Sequence, residues 1–165
     1  MGMYASFKLA RPDILTRLLQ DPDELEEYVE ETGIGGGSLD PGTALEVEKT
    51  WHALHYLLTG KTGTSAPPLD FIIRGGEKFD GREGASAFTA EQVAEIHHAL
   101  EPLEVDALRA RFDKKAMQKA RIYPDIWRHP DAEEFLETTL ENFETLKAFM
   151  QKAANEGFGM ILMIS

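Results

Sequence analysis

The 165-residue sequence contains no cysteine. This rules out thiol nucleophiles, structural Cys–zinc sites and disulfides, and it leaves the redox compartment open. No apolar segment approaches the ~20 residues of a membrane span. The opening MGMYASFKLARP lacks the basic start and apolar run of a signal peptide. The expectation is a cytoplasmic protein with no membrane association. Positive charge is also scarce: 17 Lys and Arg stand against 29 Asp and Glu, for a formal net charge of −12. Nucleic-acid binding draws on Lys and Arg to release phosphate counterions, so this balance counts against it. There is no Gly-x-Ser-x-Gly nucleophile motif. Gly60-Lys61-Thr62 resembles the end of a phosphate-binding loop, but that motif needs a glycine where His55 stands. Nothing in the pattern implies a cofactor or a metal.

The length fits one compact domain over residues 1–165, and a chain near this size can bury roughly 68–70% of its unfolded surface. Its most distinctive stretch is KTWHALHYLLTG, residues 49–60. Helical periodicity predicts a helix from about Ala44 to Thr59, with Asp40 as N-cap, Pro41 in the first turn and Gly60 as the stop. On that helix Val47, Trp51, Leu54 and Leu58 form the buried stripe, while Glu48, His52 and His55 share a flank.

The rest of the chain alternates strand and helix signals. Met3, Ala5, Phe7 and Leu9 have the period of a half-buried strand. Helices are expected around Asp13–Leu19 and after Asp21-Pro22-Asp23-Glu24, the second ending in the glycine run near 33–38. Leu69–Arg74 (LDFIIR) reads as a strand between Pro-Pro and Gly-Gly, with a further short strand near Ala85–Phe88. Thr89-Ala90-Glu91-Gln92 is a capping box, opening a helix that buries Val93, Ile96 and Leu100. Two more helices carry Val105, Leu108 and Phe112, then Ala116, Met117 and Ala120. Ile122–Trp127 breaks the pattern at a proline. A long helix over about Pro130–Asn155 follows. The continuously apolar Phe158–Ile164 suits a strand buried on both faces, placed between earlier strands or under helices. The fold class is α+β: a small mixed sheet of three to four strands wrapped by six or seven helices.

Several residues are candidates for chemistry. Glu48, His52 and His55, at helical spacing, could form a proton-transfer pair or part of a metal site, though zinc would need further ligands such as Asp125 or His129. The structural reading comes first: His55 as a hydrogen-bonded core histidine and His52 paired with Glu48 on the surface. Arg74, before Gly75-Gly76, could present a guanidinium and backbone amides to an anion, or simply begin a turn. Tyr123, Asp125 and Trp127 could line a pocket or anchor a loop. Charge is uneven as well. Arg109–Arg128 holds Arg109, Arg111, Lys114, Lys115, Lys119, Arg121 and Arg128 against Asp113 and Asp125, between acid-rich segments at 21–31 and 131–144.

The stretches MGMYASF, KTWHALHYLLTG, FIIRGG, FTAEQVAEIHHAL, RARFDKKAMQKARIYPDIW and FGMILMIS, in this order, resemble the YfbM-like family of small bacterial proteins, a domain of unknown function. WHALH and IYPDIW are the most specific of these. The resemblance covers nearly the whole chain and implies a single α+β domain, with no activity or site residue to carry over. Two functions are expected from the residues. One is a non-catalytic, immunity- or inhibitor-like protein that contacts a protein partner, a basic one in its most concrete form. The other is a small-molecule-binding protein or enzyme with a pocket of Glu48, Trp51, His52, His55, Arg74, Tyr123, Asp125 and Trp127. A structural subunit of an assembly is a weaker third, and the sequence carries no symmetry signal.

Overall fold

A computed structural model describes residues 2–32 and 43–165. The expected cap at Asp40-Pro41 and the glycine run at 33–38 lie outside the described residues. Five strands form one sheet: β1 (Ala5–Ala10), β2 (Ala44–Glu48), β3 (Glu77–Phe79), β4 (Arg82–Phe88) and β5 (Gly159–Ile164), in the spatial order β2-β1-β5-β4-β3. Every pairing is antiparallel. The sheet therefore has more strands than the three to four expected, and it is not mixed.

The unbroken apolar run of β5 is explained by its position between β1 and β4. Met160 and Leu162 enter the main core together with Phe7 and Leu9 of β1. Ile161 and Met163 face the opposite side with Ala10, Ala85 and Ala87. A strand covered on both faces has no position for a polar residue. The second side is closed by α1 (Pro12–Gln20) and α2 (Glu24–Thr32), which contribute Leu15, Leu18 and Leu25. Proline in the first turn of α1 forgoes an N–H that would have no partner there anyway.

The main core lies between the other sheet face and α3 (Trp51–Thr59), α5 (Ala90–Leu100) and α8 (Ala132–Glu156). The capping box of α5 forms as expected: Gln92 N–H donates to Thr89 Oγ1 at 3.1 Å, and Thr89 N–H donates to Gln92 Oε1 at 2.9 Å. The buried positions of α8 recur from Leu136 through Leu140, Phe143, Leu146 and Met150 to Ala153, and Gly157 ends the helix at φ 72°. Two short helices, α6 (Val105–Ala110) and α7 (Lys114–Lys119), precede the break at 121–127.

Two element assignments are overturned as well. Ala44–Glu48 is strand, and the helix starts only at Trp51. Leu45 and Val47 are buried while Glu46 and Glu48 are exposed, the two-residue period of a sheet edge. Val47 also sits four residues before Trp51, so it satisfies both periods, and no Gly or Pro marks the turn at Lys49-Thr50. The second correction is LDFIIR, which contains one helical turn, α4 (Phe71–Arg74), in place of a strand. Phe71 and Ile72 insert into the main core, and that tertiary burial overrides the strand preference of β-branched residues.

Candidate functional site

Helix α3 carries the densest polar and aromatic arrangement. Its Trp51 ring stacks between His52 and Tyr123, with centroids 5.2 and 5.7 Å away, and His55 continues the stack 6.5 Å beyond His52. Trp51 Nε1 donates to the Met3 carbonyl at 3.1 Å, and the Met3 N–H donates to the Tyr123 hydroxyl at 2.7 Å. The two aromatics thus clamp the entry to β1.

The protonation of His52 follows from its partners. The Tyr123 backbone N–H points at Nδ1 from 2.9 Å, so Nδ1 must be the acceptor. The Thr62 carbonyl lies 3.0 Å from Nε2, so Nε2 must carry the hydrogen. His52 is neutral, with both ring nitrogens occupied. His55 is buried, and its Nε2–H donates to the Gly63 carbonyl at 2.7 Å. Neither imidazole is arranged to exchange a proton with a ligand.

The same loop is held from α4. Asp70 Oδ2 accepts from the Ser65 N–H and from Arg74 Nε, both at 2.9 Å, and Arg74 Nη2 donates to the Ser65 carbonyl at 2.9 Å. His52, His55, Asp70 and Arg74 therefore fasten the backbone at Thr62, Gly63 and Ser65. Burial pushes the Asp70 carboxyl up, but the bonds from Arg74 and Ser65 outweigh it and hold the group below its ordinary 3.8. His55 Nδ1 and Asp70 Oδ1 are buried and lack a hydrogen-bond partner among the described residues. Both are acceptors while His55 is neutral, so they cannot satisfy each other.

The eight expected site residues do not converge. Trp51, His52, His55 and Tyr123 form the stack, and Arg74 reaches it only through the loop. Glu48 is exposed at the end of β2, off the helix and opposite Ala5, so the expected flank of Glu48, His52 and His55 does not exist. Asp125 and Trp127 instead line a cleft of about 430 Å³ with Gln118, Arg121, Ile122 and Arg128. Trp127 packs with Met117, Ile122 and Ala132 in a cluster separate from the main core, and its Nε1 donates to the Ile122 carbonyl at 2.8 Å. The sequence reading did not place Asp70, Gln118, Arg121 or Arg128 at a site. Their signals were an acid four residues before Arg74 and the basic excess over 109–128.

The locked imidazoles give a pH prediction. Burial, the largest cause, lowers both histidines below the ordinary 6.5, against the opposing bonds to Thr62 and Gly63. Between the folded and unfolded values the unfolded chain binds more protons, so stability falls as pH falls through that window. Urea unfolding should show a constant midpoint above about pH 7 and a lower one near pH 5.5, before most carboxylates titrate. A His52→Gln/His55→Gln chain should lose that difference. Identical midpoints at both pH values in the unaltered chain would contradict the assignment.

The sequence matches the family described as "Domain of unknown function (DUF1877)" over residues 1–163. "Protein YfbM" of Escherichia coli (strain K12) is 30% identical over 135 residues, which span 76% of this chain and 75% of that protein. The crystal structure of YfbM from Escherichia coli, described as a protein of unknown function, matches with a TM-score of 0.74 at 20% identity. It covers 98% of this chain and 99% of that one. At that identity the structural likeness is one of fold.

Proposed function

Since this chain belongs to the DUF1877 family, whose description assigns no activity, its role has to be read from its own surface. We propose that it is a non-catalytic binding protein that recognises a basic protein partner through an acidic face. One observation carries this reading: exposed glutamates without ion-pair partners among the described residues line the outside of α8 and the adjoining edge strand. Glu134, Glu141 and Glu144 share the solvent side of α8, at spacings of seven and three residues. Glu46 and Glu48 project from β2. The Asn142 amide joins the two elements by donating to Thr50 Oγ1 at 2.9 Å and to the Val47 carbonyl at 3.3 Å. Charged side chains along a sheet edge also discourage strand addition, so this edge favours a partner that reads charge.

The alternative, a pocket using His52, His55, Glu48 and Arg74, has less support. Both nitrogens of His52 are occupied, and Glu48 sits on another element. The test is affinity capture from lysate with the unaltered chain and with Glu134→Lys/Glu141→Lys/Glu144→Lys, each at low and at raised salt. Exposed charges are screened over ~8 Å at physiological ionic strength. A protein retained at low salt by the unaltered chain, and lost both in raised salt and with the variant, is the expected result. Equal capture by both chains, or no salt-sensitive partner at all, would refute the reading.

A further inference from the structure

The seven basic side chains of residues 109–128 are divided by the fold into two groups. Three have structural roles. Arg109 pairs with Glu137, and Lys114 pairs with Glu133 at 2.5 Å. Arg111 crosses to the end of α3, where it donates to the Leu57 carbonyl at 2.7 Å and the Leu58 carbonyl at 3.3 Å. A cation there offsets the negative end of the helix dipole. Asp113 is committed too, since its Oδ1 accepts from the Lys115 and Ala116 N–H groups and caps α7. The four remaining bases, Lys115, Lys119, Arg121 and Arg128, have no ion pair or side-chain hydrogen bond among the described residues. A chain with 29 acidic residues leaves these four uncompensated.

Arg121 and Arg128 line the 430 Å³ cleft. Ile122 and Trp127, each nearly fully buried, fix its floor, and Gln118 and Asp125 form its polar rim. The volume lies within the range of small-molecule sites. The backbone at Arg121 adds an independent observation. Arg121 ends α7 in the left-handed region, at φ 57°. The Ile122 N–H closes back on the Met117 carbonyl at 3.0 Å, the six-to-one bond of a Schellman end. Glycine is the residue that takes this position without strain. An arginine is held there at a cost in stability, at a position that lines the cleft. Strain retained at a position whose side chain faces a cavity points to function. The Ala116, Met117 and Gln118 carbonyls already accept from the Ala120, Ile122 and Arg121 N–H groups, so the arginine side chain is not used to cap them.

We propose that the cleft binds a small organic phosphate, its phosphate held between the Arg121 and Arg128 guanidiniums. Paired guanidiniums match the oxygens of a phosphate better than point charges do. Gln118 can donate to the same group, and the exposed Asp125 carboxylate accepts from a ligand hydroxyl. This site is separate from the glutamate face of α8 and does not depend on it.

Tryptophan fluorescence and calorimetry with ribose 5-phosphate, inorganic phosphate and ribose test the assignment. Ribose 5-phosphate should bind more tightly than inorganic phosphate, and ribose should not bind. Arg121→Gly should weaken phosphate binding at least about tenfold, equivalent to ~1.4 kcal/mol. The same variant should melt at an unchanged temperature or about 3 °C higher, because glycine relieves the backbone. Arg128→Gln should weaken binding similarly with no such rise. Unaltered affinity in both variants would overturn the proposal, as would no phosphate binding up to about 10 mM or equal binding of ribose and its phosphate.

Discussion

Truncation of Phe7 to alanine is expected to lower the unfolding free energy by about 3–5 kcal/mol. Phe7 is fully buried on β1, where it pairs with Leu45 on one side and Leu162 on the other. Its ring lies 6.2 Å from Phe71 of α4 and 6.2 Å from Phe149 of α8, so one side chain joins the sheet to two helices. The ladders on both flanks fix its backbone, which limits how far neighbours can collapse into the space left behind. Such limits put a truncation at the upper end of its range. Phe7→Leu should lose less than half as much. Denaturant unfolding gives both values, and a loss under about 1.5 kcal/mol for alanine would show that the core relaxes more than this packing allows.

The second large effect is expected at Gly76, between α4 and β3. A Cβ there would sit 1.9 Å from the Ala87 carbonyl oxygen and 2.6 Å from its carbon. The Gly76 N–H also donates to Ser86 Oγ at 3.0 Å. The obstacle is backbone, and β4 cannot retreat because Ala87 is paired to Ile161 of β5. Gly76→Ala should therefore cost about 3 kcal/mol, the upper range for overpacking. Gly63 is the control: a Cβ there meets nothing within 4 Å, so Gly63→Ala should be nearly neutral. Similar melting temperatures for the two variants would rule out the steric explanation.

Legibility varied along the chain with the strength of local signals. The α5 capping box, the stop at Gly60 and the buried face of α8 could be read directly, because each depends on residues within one or two helical turns. The placement of β5 inside the sheet followed from its lack of any polar position. Ala44–Glu48 misled because five residues cannot distinguish a two-residue period from a helical one when Val47 fits both. Phe71–Arg74 misled for a different reason: four residues hold too little periodicity, and the core contacts that bend them into a turn come from distant segments. For the site, sequence identified the stacked residues of α3 and the break at Tyr123. It could not show that the Thr62 carbonyl and the Tyr123 amide would close off His52, since backbone groups have no signature in side-chain identity. The cleft was half visible, through Asp125, Trp127 and the basic excess. The left-handed turn at Arg121 was not, because an arginine gives no warning of a glycine-like conformation.

The position of β5 governs how the molecule comes apart. Without it, the described sheet would split into two separate ribbons, β2–β1 and β4–β3. A lone two-stranded ribbon is at best marginal in water. Half-unzipped forms therefore have little to stand on, and denaturation should run as one cooperative step, with every spectroscopic probe reporting the same midpoint.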